Sequence, residues 1–283
     1  MRRILLFFVG TMALFACDRP VPDRAVVIQE GVGRLQLDVR ANGTDLIPVT
    51  VLAPVEADGS LRAATALPAV VYVHGGAVNP ARYEWQAIEL AKRGFVVALP
   101  RHPNDLAFFG IDFGRAARRF LVESGEGLLA GRVDAARVAA MGHSLGGVVA
   151  MKLGLGGGFQ AVVVQASFQD PADDAKLPGF SVPTLFLAGQ GDCQAREEQV
   201  RNGWAKLSSP TALVVLEGVT HFQFTDSDAD DVRRNCAPVT ALADAHTRIV
   251  DASAAFLGAA LSPTPGTGVE ALRRVPGAAV EAR

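Results

Sequence analysis

Short runs of hydrophobic residues alternate with amphipathic stretches of helical length over most of the chain. The hydrophobic runs are PAVVYVHGG, GFVVALP, RVAAMGHS, QAVVVQAS, PTLFLAGQGD and TALVVLEG. Ala, Leu, Arg and Glu recur at helical spacing in residues 82–93, 112–129, 145–155, 194–207 and 239–258. Strands that are hydrophobic throughout are buried on both faces, which is typical of a parallel sheet covered by helices. The pattern therefore predicts an α/β fold.

Two other patterns flank this region. From Arg24 to Ala53, the stretches RAVVIQE, RLQLDVR and LIPVTVLAP predict antiparallel strands at the edge of the sheet. The segment from Gln169 to Val182 is too short to hold a large lid domain between its flanking strands. We predict a single domain over residues 27–260. Residues 261–283 show neither the hydrophobic runs of the strands nor the spacing of the helices, and we expect them to be disordered.

Composition narrows the class of protein. The chain has 283 residues, 49% of them hydrophobic, which is enough for one sizeable core. Its formal net charge is -2, and it has no run of Lys and Arg interleaved with aromatic residues. We therefore expect no nucleic-acid partner. The sequence makes no prediction about the oligomeric state.

The N-terminus has the pattern of an export signal. In MRRILLFFVGTMALFACDRP, two arginines precede an apolar stretch over residues 4–16 that is too short to span a bilayer. LFA followed by Cys17 resembles a bacterial lipoprotein box, so we expect a signal peptide over 1–16, a lipid on Cys17 and a membrane tether over 17–26. A soluble secreted form and an uncleaved anchor are the alternatives. In each case the domain is exported, and we expect a lipid-anchored bacterial envelope protein that faces the periplasm or the cell exterior.

Ser144 lies in the pentapeptide GHSLG, residues 142–146, directly after a predicted buried strand and before a predicted helix. A nucleophilic serine in this position needs a sharp turn with strained backbone angles, and flanking glycines let the backbone approach closely. The alternative is a glycine-rich turn with a serine that caps the helix. The strand-to-helix context favours Ser144 as a nucleophile.

A serine nucleophile needs a base, and two histidines follow Ser144. His246 lies within a predicted helix, where a surface or core-edge histidine is expected. His221, in LEGVTHFQF, follows the last hydrophobic strand, on a loop that can reach the C-terminal edge of the sheet. We therefore predict that His221 is the base.

The acid that orients the base has two candidates. Asp192 follows the strand TLFLAG through a glycine-rich turn, from which a carboxylate can reach His221. Asp170 follows the preceding strand and is also geometrically possible. We favour Asp192 because it follows its strand closely. The order serine, acid, histidine along the chain is also the one expected for an α/β fold with a serine nucleophile after a strand.

Acyl hydrolysis also needs hydrogen-bond donors for the oxyanion. The N–H of Leu145, at the start of the helix after the serine, is one candidate. The segment HGGA, residues 74–77, leaves its backbone unencumbered after a strand, which suggests the N–H groups of Gly76 and Ala77. A Gly-Gly turn without a catalytic role is the alternative.

Together these motifs resemble the α/β-hydrolase superfamily, over roughly Val27 to Gly258. Within it the chain is similar to the dienelactone hydrolase-like group, which includes chlorophyllase-like, platelet-activating-factor acetylhydrolase-like and polyester hydrolase-like members. The motifs are HGGA, GHSLGG, the Gly-x-x-Asp of GQGD and the His of GVTHF. The resemblance implies an esterase-type Ser144–His221–Asp192 site without metal or organic cofactor. The strict dienelactone hydrolases use a cysteine nucleophile, from which this chain departs.

We expect a small-molecule or lipid-like ester as the substrate. A thioesterase or peptidase could use the same residues, and a non-catalytic envelope lipoprotein could use the same cleft to bind a ligand. Several aromatic residues can either line an apolar acyl pocket or belong to the core. These are Trp85, Phe108, Phe109, Phe222 and Phe224.

Two further patterns concern cysteines and acidic residues. With Cys17 lipidated, Cys193 and Cys236 form an even pair, which in an oxidising compartment predicts a disulfide between the loops of Asp192 and His221. Two unpaired cysteines, or a metal site with His221, are the alternatives. The stretch DSDADD has calcium-loop spacing but lacks the required glycine and glutamate, so we expect a solvated acidic loop without metal.

Overall fold

The structure is a computed structural model that describes residues 20–42, 45–62, 65–102, 107–208 and 210–283, with the backbone alone for 107–109. The strands are β1 (Val26–Gln29), β2 (Val32–Arg40), β3 (Leu46–Pro54), β4 (Leu67–Val73), β5 (Val96–Pro100), β6 (Val133–His143), β7 (Ala161–Gln165), β8 (Thr184–Gly189), β9 (Thr211–Leu216) and β10 (Ala278–Ala282). The α-helices are α1 (Glu84–Lys92), α2 (Ala107–Glu123), α3 (Leu145–Leu155), α4 (Glu197–Ala205), α5 (Ala229–Arg233), α6 (Leu242–Ala260) and α7 (Val269–Leu272).

The described strands form one mixed sheet in the order β1-β2-β3-β5-β4-β6-β7-β8-β9-β10. The six strands β4 to β9 are parallel, and the first three and the last are antiparallel to their neighbours. Every residue of β5, β7, β8 and β9 is buried, as expected for strands covered on both faces. Helices α1 and α6 pack together, as do α2 and α3. The predicted α/β fold, with antiparallel strands at its N-terminal edge, is confirmed.

The predicted helices agree with the structure in place, and all but α3 differ at their ends. Helix α3 spans the predicted residues, whereas α2 begins at Ala107 and ends at Glu123. A separate 3-10 turn, Gly127–Leu129, occupies the end of the predicted 112–129 helix. The β7–β8 connection holds only the 3-10 helix Pro171–Gly179.

The C-terminal segment, expected to be disordered, is ordered and belongs to the fold. Strand β10 pairs antiparallel with β9, from Ala278 opposite Leu216 to Ala282 opposite Ala212. Helix α7 packs on α6, and its Leu272 is fully buried. The prediction missed this because β10 is a five-residue, half-exposed edge strand that depends on β9 for its hydrogen bonds.

The expected membrane tether also differs from the structure where it is described. Val21 is buried, the Pro22 carbonyl accepts from the Leu128 N–H, and β1 begins at Val26. Residues 20–26 are therefore packed on the domain. The predicted signal peptide and Cys17 lie outside the described residues. Within the described ranges, none of the helices has the length and apolar character needed to cross a bilayer.

Candidate active site

Ser144 occupies a sharp turn between β6 and α3. Its φ of 55° and ψ of -124° lie in a region that non-glycine residues rarely adopt. A Cβ on Gly142 would stand 2.1 Å from the Gly146 carbonyl oxygen, and a Cβ on Gly146 would stand 2.1 Å from that of Val73. Both glycines are therefore required by close backbone approach, which holds the serine hydroxyl at the C-terminal edge of the sheet.

The structure brings Ser144, His221 and Asp192 together in one hydrogen-bonded row. His221 Nε2 lies 3.0 Å from Ser144 Oγ, and His221 Nδ1 lies 2.8 Å from Asp192 Oδ2. His221 and Asp192 are 4% and 5% exposed. An ionised Asp192 accepts from Nδ1–H, which leaves the lone pair of Nε2 directed at the serine hydroxyl.

Asp192 is held by its own turn after β8. Its Oδ1 accepts from the N–H groups of Gln194 and Ala195 at 2.7 and 2.8 Å. Asp170, the other candidate acid, instead pairs with Lys152 at 2.9 Å and caps the 3-10 helix that follows it. Lys152 and the Ala172 N–H hold the pKa of Asp170 below its ordinary value. Of the two carboxylates, only Asp192 contacts His221.

His246 lies apart from the serine, on α6. Its ring stacks on that of Trp85 with centroids 3.6 Å apart, and its Nε2 donates to the Thr225 carbonyl at 2.8 Å. Burial lowers the pKa of His246. The two rings line a groove of about 530 Å³ between α1 and α6. His246 is thus a core-edge residue, as the helical pattern predicted.

A buried pair of residues behind His221 escaped the sequence analysis. The Tyr83 hydroxyl accepts from the Gly75 N–H at 3.1 Å and lies 2.9 Å from His143 Nδ1, to which it donates. The His143 ring packs on that of His221, with centroids 4.6 Å apart. Burial, assisted by nearby His221, holds the pKa of His143 well below its ordinary range. Tyr83 therefore connects the HGGA turn to the ring that supports His221.

The HGGA turn also rests on a stacked histidine pair. His74 and His102 lie with ring centroids 3.6 Å apart, and the His102 N–H donates to His74 Nε2 at 3.1 Å. Burial, together with the neighbouring His102, lowers the pKa of His74 to about 4. His74 is therefore neutral at ordinary pH. Beyond it, Ala77 adopts a φ of 54°, which turns the backbone sharply after Gly76.

A fully buried polar network lies beneath the site and gave no sign in the sequence. Tyr72 donates to Gln165 Oε1 at 2.7 Å, and Gln165 Nε2 donates to Gln86 Oε1 at 2.8 Å. Gln86 Nε2 in turn donates to the Phe224 carbonyl at 2.8 Å, three residues after His221. The Gln165 carbonyl accepts from the Ser144 N–H at 2.9 Å. Isolated glutamines in hydrophobic stretches have no pattern that predicts such pairing.

A disulfide joins the loop that carries Asp192 to the segment that follows His221. Cys193, beside Asp192, is bonded to Cys236, with the two Cα atoms 5.9 Å apart. The predicted pairing is therefore present in the structure. The same contact excludes the alternative of two unpaired cysteines.

The stretch DSDADD is more than a solvated acidic loop. Arg82 donates to Asp226 at 2.7 Å and to Asp230 at 2.8 Å, and Asp231 is fully buried. Sequence analysis missed these contacts because Arg82 is distant in the chain. Within the described part of the chain, no cluster of three or more His, Cys, Asp or Glu side chains is arranged to hold a metal ion.

The aromatic candidates for an acyl pocket have different surroundings. Phe224 is a core residue, fully buried, and Phe222 lies beneath the guanidinium groups of Arg82 and Arg234. Trp85 faces His246 rather than Ser144. The side chains of Phe108 and Phe109 lie outside the described residues.

A mostly parallel sheet of this order, with a serine on a strained turn after a central strand and helices on its faces, defines the α/β class of hydrolase folds. Residues 69–231 match the model of the alpha/beta hydrolase family, which is more than half of the chain. The chain belongs to this family, and membership supports a hydrolase activity. No curated protein matches the chain.

Proposed function

We propose that the protein is a serine hydrolase that cleaves carboxylic esters, with Ser144 as nucleophile, His221 as base and Asp192 as orienting acid. The observation that carries the proposal is the pair of contacts at His221, 3.0 Å to Ser144 Oγ and 2.8 Å to Asp192 Oδ2. Both distances are within reach for proton transfer and for fixing the imidazole tautomer.

In the proposed reaction, Ser144 Oγ attacks the ester carbonyl while its proton passes to His221 Nε2. Asp192 stabilises the resulting imidazolium through Nδ1–H and remains ionised. His221 then returns the proton to the leaving alcohol, and an acyl group stays on Ser144. A water molecule, deprotonated by the same Nε2, hydrolyses that acyl-enzyme and regenerates the serine.

The oxyanion requires donors that are in place before the reaction. Leu145 is the first residue of α3, so its N–H has no acceptor within the helix. The N–H groups of Gly76 and Ala77 belong to the sharp turn after β4, which Tyr83 fixes through Gly75. We assign the oxyanion hole to Leu145 with Gly76 or Ala77.

For the substrate, we propose a small-molecule or lipid-like ester, and for the subgroup, the dienelactone hydrolase-like group with serine in place of cysteine. The short β7–β8 connection supports an open cleft. Thioesters and peptides remain as alternative substrates of the same residues. A panel of esters, thioesters and peptides distinguishes them by kcat/KM.

Ser144→Ala tests the nucleophile. We expect it to abolish hydrolysis of short p-nitrophenyl esters and covalent labelling by a fluorophosphonate, with His221→Ala also preventing labelling. A folded wild-type protein that is not labelled would instead support a non-catalytic ligand-binding protein.

Asp192→Asn and Asp170→Asn form a matched pair for the acid. We expect Asp192→Asn to lower kcat on the order of 10⁴-fold, because it favours the wrong imidazole tautomer. Asp170→Asn should retain kcat, since its carboxylate contacts Lys152 and not His221. Equal losses in the two variants would contradict the assignment.

We also propose that the mature protein is an exported envelope lipoprotein with lipid on Cys17. The N-terminal pattern supports this, and so does the Cys193–Cys236 disulfide, since disulfides persist in oxidising compartments. Mass spectrometry of the mature chain should find a diacylated Cys17 at its N-terminus. Any other first residue would contradict it.

A further inference from the structure

A second carboxylate, unused by the proposed reaction, lies behind His221. Asp231 is fully buried in α5, and its Oδ2 accepts two hydrogen bonds. Thr220 Oγ1 donates to it at 2.8 Å, and the Phe222 N–H donates at 2.7 Å. These are the residues immediately before and after His221. One carboxylate oxygen therefore holds both sides of the base.

The helix that carries Asp231 is itself fixed to the other two loops of the site. The main-chain carbonyl of Asp231 accepts from the Cys236 N–H at 2.9 Å, and Cys236 is bonded to Cys193 beside Asp192. The preceding residue, Asp230, accepts from Arg82, which follows the HGGA turn. The helix of Asp231 is therefore anchored both to the loop of Asp192 and to the segment that follows the HGGA turn.

We propose that Asp231 is a positioning residue, which sets the imidazole of His221 between Ser144 and Asp192 by clamping the backbone on both sides of it. The inference rests on the proposed serine hydrolase function. Asp231 touches neither the substrate nor the reacting atoms, and it acts only through the position of His221.

The hydrogen bonds, rather than the charge, perform this role. Asp231 Oδ1 is buried and contacts no hydrogen-bond donor among the described residues, so only Oδ2 holds the loop. Burial raises the pKa of Asp231. An asparagine oxygen can accept the same two bonds without a charge, whereas an alanine leaves the Thr220 hydroxyl and the Phe222 N–H unpaired in a buried site.

Asp231→Ala and Asp231→Asn therefore separate the clamp from the charge, and Val232→Ala is the matched control, because Val232 is the next residue of the helix and is 57% exposed. We expect Asp231→Ala to lower kcat and the rate of fluorophosphonate labelling by about 10- to 100-fold, the cost of a displacement of about 1 Å. KM should not change. The kcat of Asp231→Asn should stay within about threefold of the wild-type value, and the kcat of Val232→Ala should equal the wild-type value.

Thr220→Val provides a second test if Asp231→Ala does not fold. This variant removes the hydroxyl that donates to Asp231 Oδ2 and keeps the branched shape of the side chain. It should lower kcat several-fold at unchanged KM. Circular dichroism at the assay temperature establishes that each variant is folded. Wild-type kcat in folded Asp231→Ala or in Thr220→Val would overturn the proposal, as would an equal loss in Asp231→Asn and Asp231→Ala.

A measurement that does not depend on enzyme activity tests the positioning role of Asp231 separately from the proposed function. In protein labelled with ¹⁵N-histidine, the Nδ1–H resonance of His221 reports its bond to Asp192. Asp231→Ala should broaden or remove this resonance, and Asp231→Asn should preserve it. If wild-type protein neither hydrolyses esters nor reacts with the fluorophosphonate, the proposed function is wrong. An unchanged resonance in Asp231→Ala would show the positioning role to be wrong, whatever the activity.

Discussion

Removing the Cys193–Cys236 disulfide should reduce stability far more than activity. The perturbation is the double variant Cys193→Ser/Cys236→Ser, which leaves no unpaired thiol from the bridge. The two cysteines are 43 residues apart. Closing a loop of this length in the unfolded chain corresponds to about 4 kcal/mol of stability at 25 °C. We expect a loss of about 3–4 kcal/mol, and roughly a 10 °C fall in melting temperature for a domain of this size.

The site retains other restraints when the disulfide is absent. Asp192 keeps its two bonds from Gln194 and Ala195, and the base loop keeps both bonds to Asp231. Because these contacts hold Asp192 and His221, we expect kcat to fall by less than about tenfold at 25 °C. Asp231→Ala should show the opposite balance, with a large effect on kcat in the folded protein.

Urea unfolding followed by fluorescence and circular dichroism measures the free energy of unfolding. Wild-type protein under oxidising and reducing conditions serves as the control, with the bridge verified by mass spectrometry. The double variant should have a larger m-value, because its unfolded chain is less compact and exposes more surface. A free energy and an m-value equal to those of the oxidised wild type would refute the entropic reasoning. A loss of kcat greater than a hundredfold in the folded variant would refute the account of the local restraints.

Two further predictions concern the buried histidines and Tyr83. A histidine whose pKa is lowered by folding binds its proton more readily in the unfolded chain, so its stabilising contribution is complete above about pH 6.5 and is lost as the pH falls toward 4. His74, with its pKa of about 4, should alone lower the free energy of unfolding by about 2 kcal/mol at pH 5. His143 and His246 act in the same direction, and Asp231, whose pKa is raised, acts in the opposite direction. Thermal unfolding between pH 7 and 5 measures this loss of stability, and a constant melting temperature would contradict the prediction. Tyr83→Phe should cost about 1–3 kcal/mol of stability and slow ester hydrolysis, because the Gly75 N–H and His143 Nδ1 both lose their buried partner; wild-type stability in denaturant would show that the bonds are not needed.

Hydrophobic periodicity predicted the central strands and the main helices because each of them buries its own apolar residues. The segments it missed bury only isolated hydrophobic residues, such as Val21 and Leu272, and are too short to show a period. Strand β10 uses the free edge of β9, and Val21 packs beside the turn at Gly127. Such segments have little pattern of their own, so local sequence cannot distinguish them from a disordered tail or a tether.

The residues of the candidate site also include some that the sequence predicts and some that it does not. Ser144, Asp192 and His221 were predicted to meet because each follows a parallel strand, and the C-terminal ends of such strands share one edge of the sheet. Asp231 and Tyr83 were not predicted, because their role comes from bonds to loops that are distant in the chain. A lone tyrosine, or one aspartate among six acidic-loop residues, has no period or spacing that indicates a buried partner.

The segment of residues 226–236 explains how three separate loops can form one site. It contacts the segment after the HGGA turn through Asp230 and Arg82, the loop of His221 through Asp231, and the loop of Asp192 through Cys236. Each loop also has restraints of its own, such as the Gly75 bond to Tyr83 and the bonds from Gln194 and Ala195 to Asp192. Because the three restraints converge on one segment, local opening of that segment removes one restraint from each of the three loops at once. Activity should therefore disappear together with hydrogen-exchange protection in residues 226–236, before the central strands unfold.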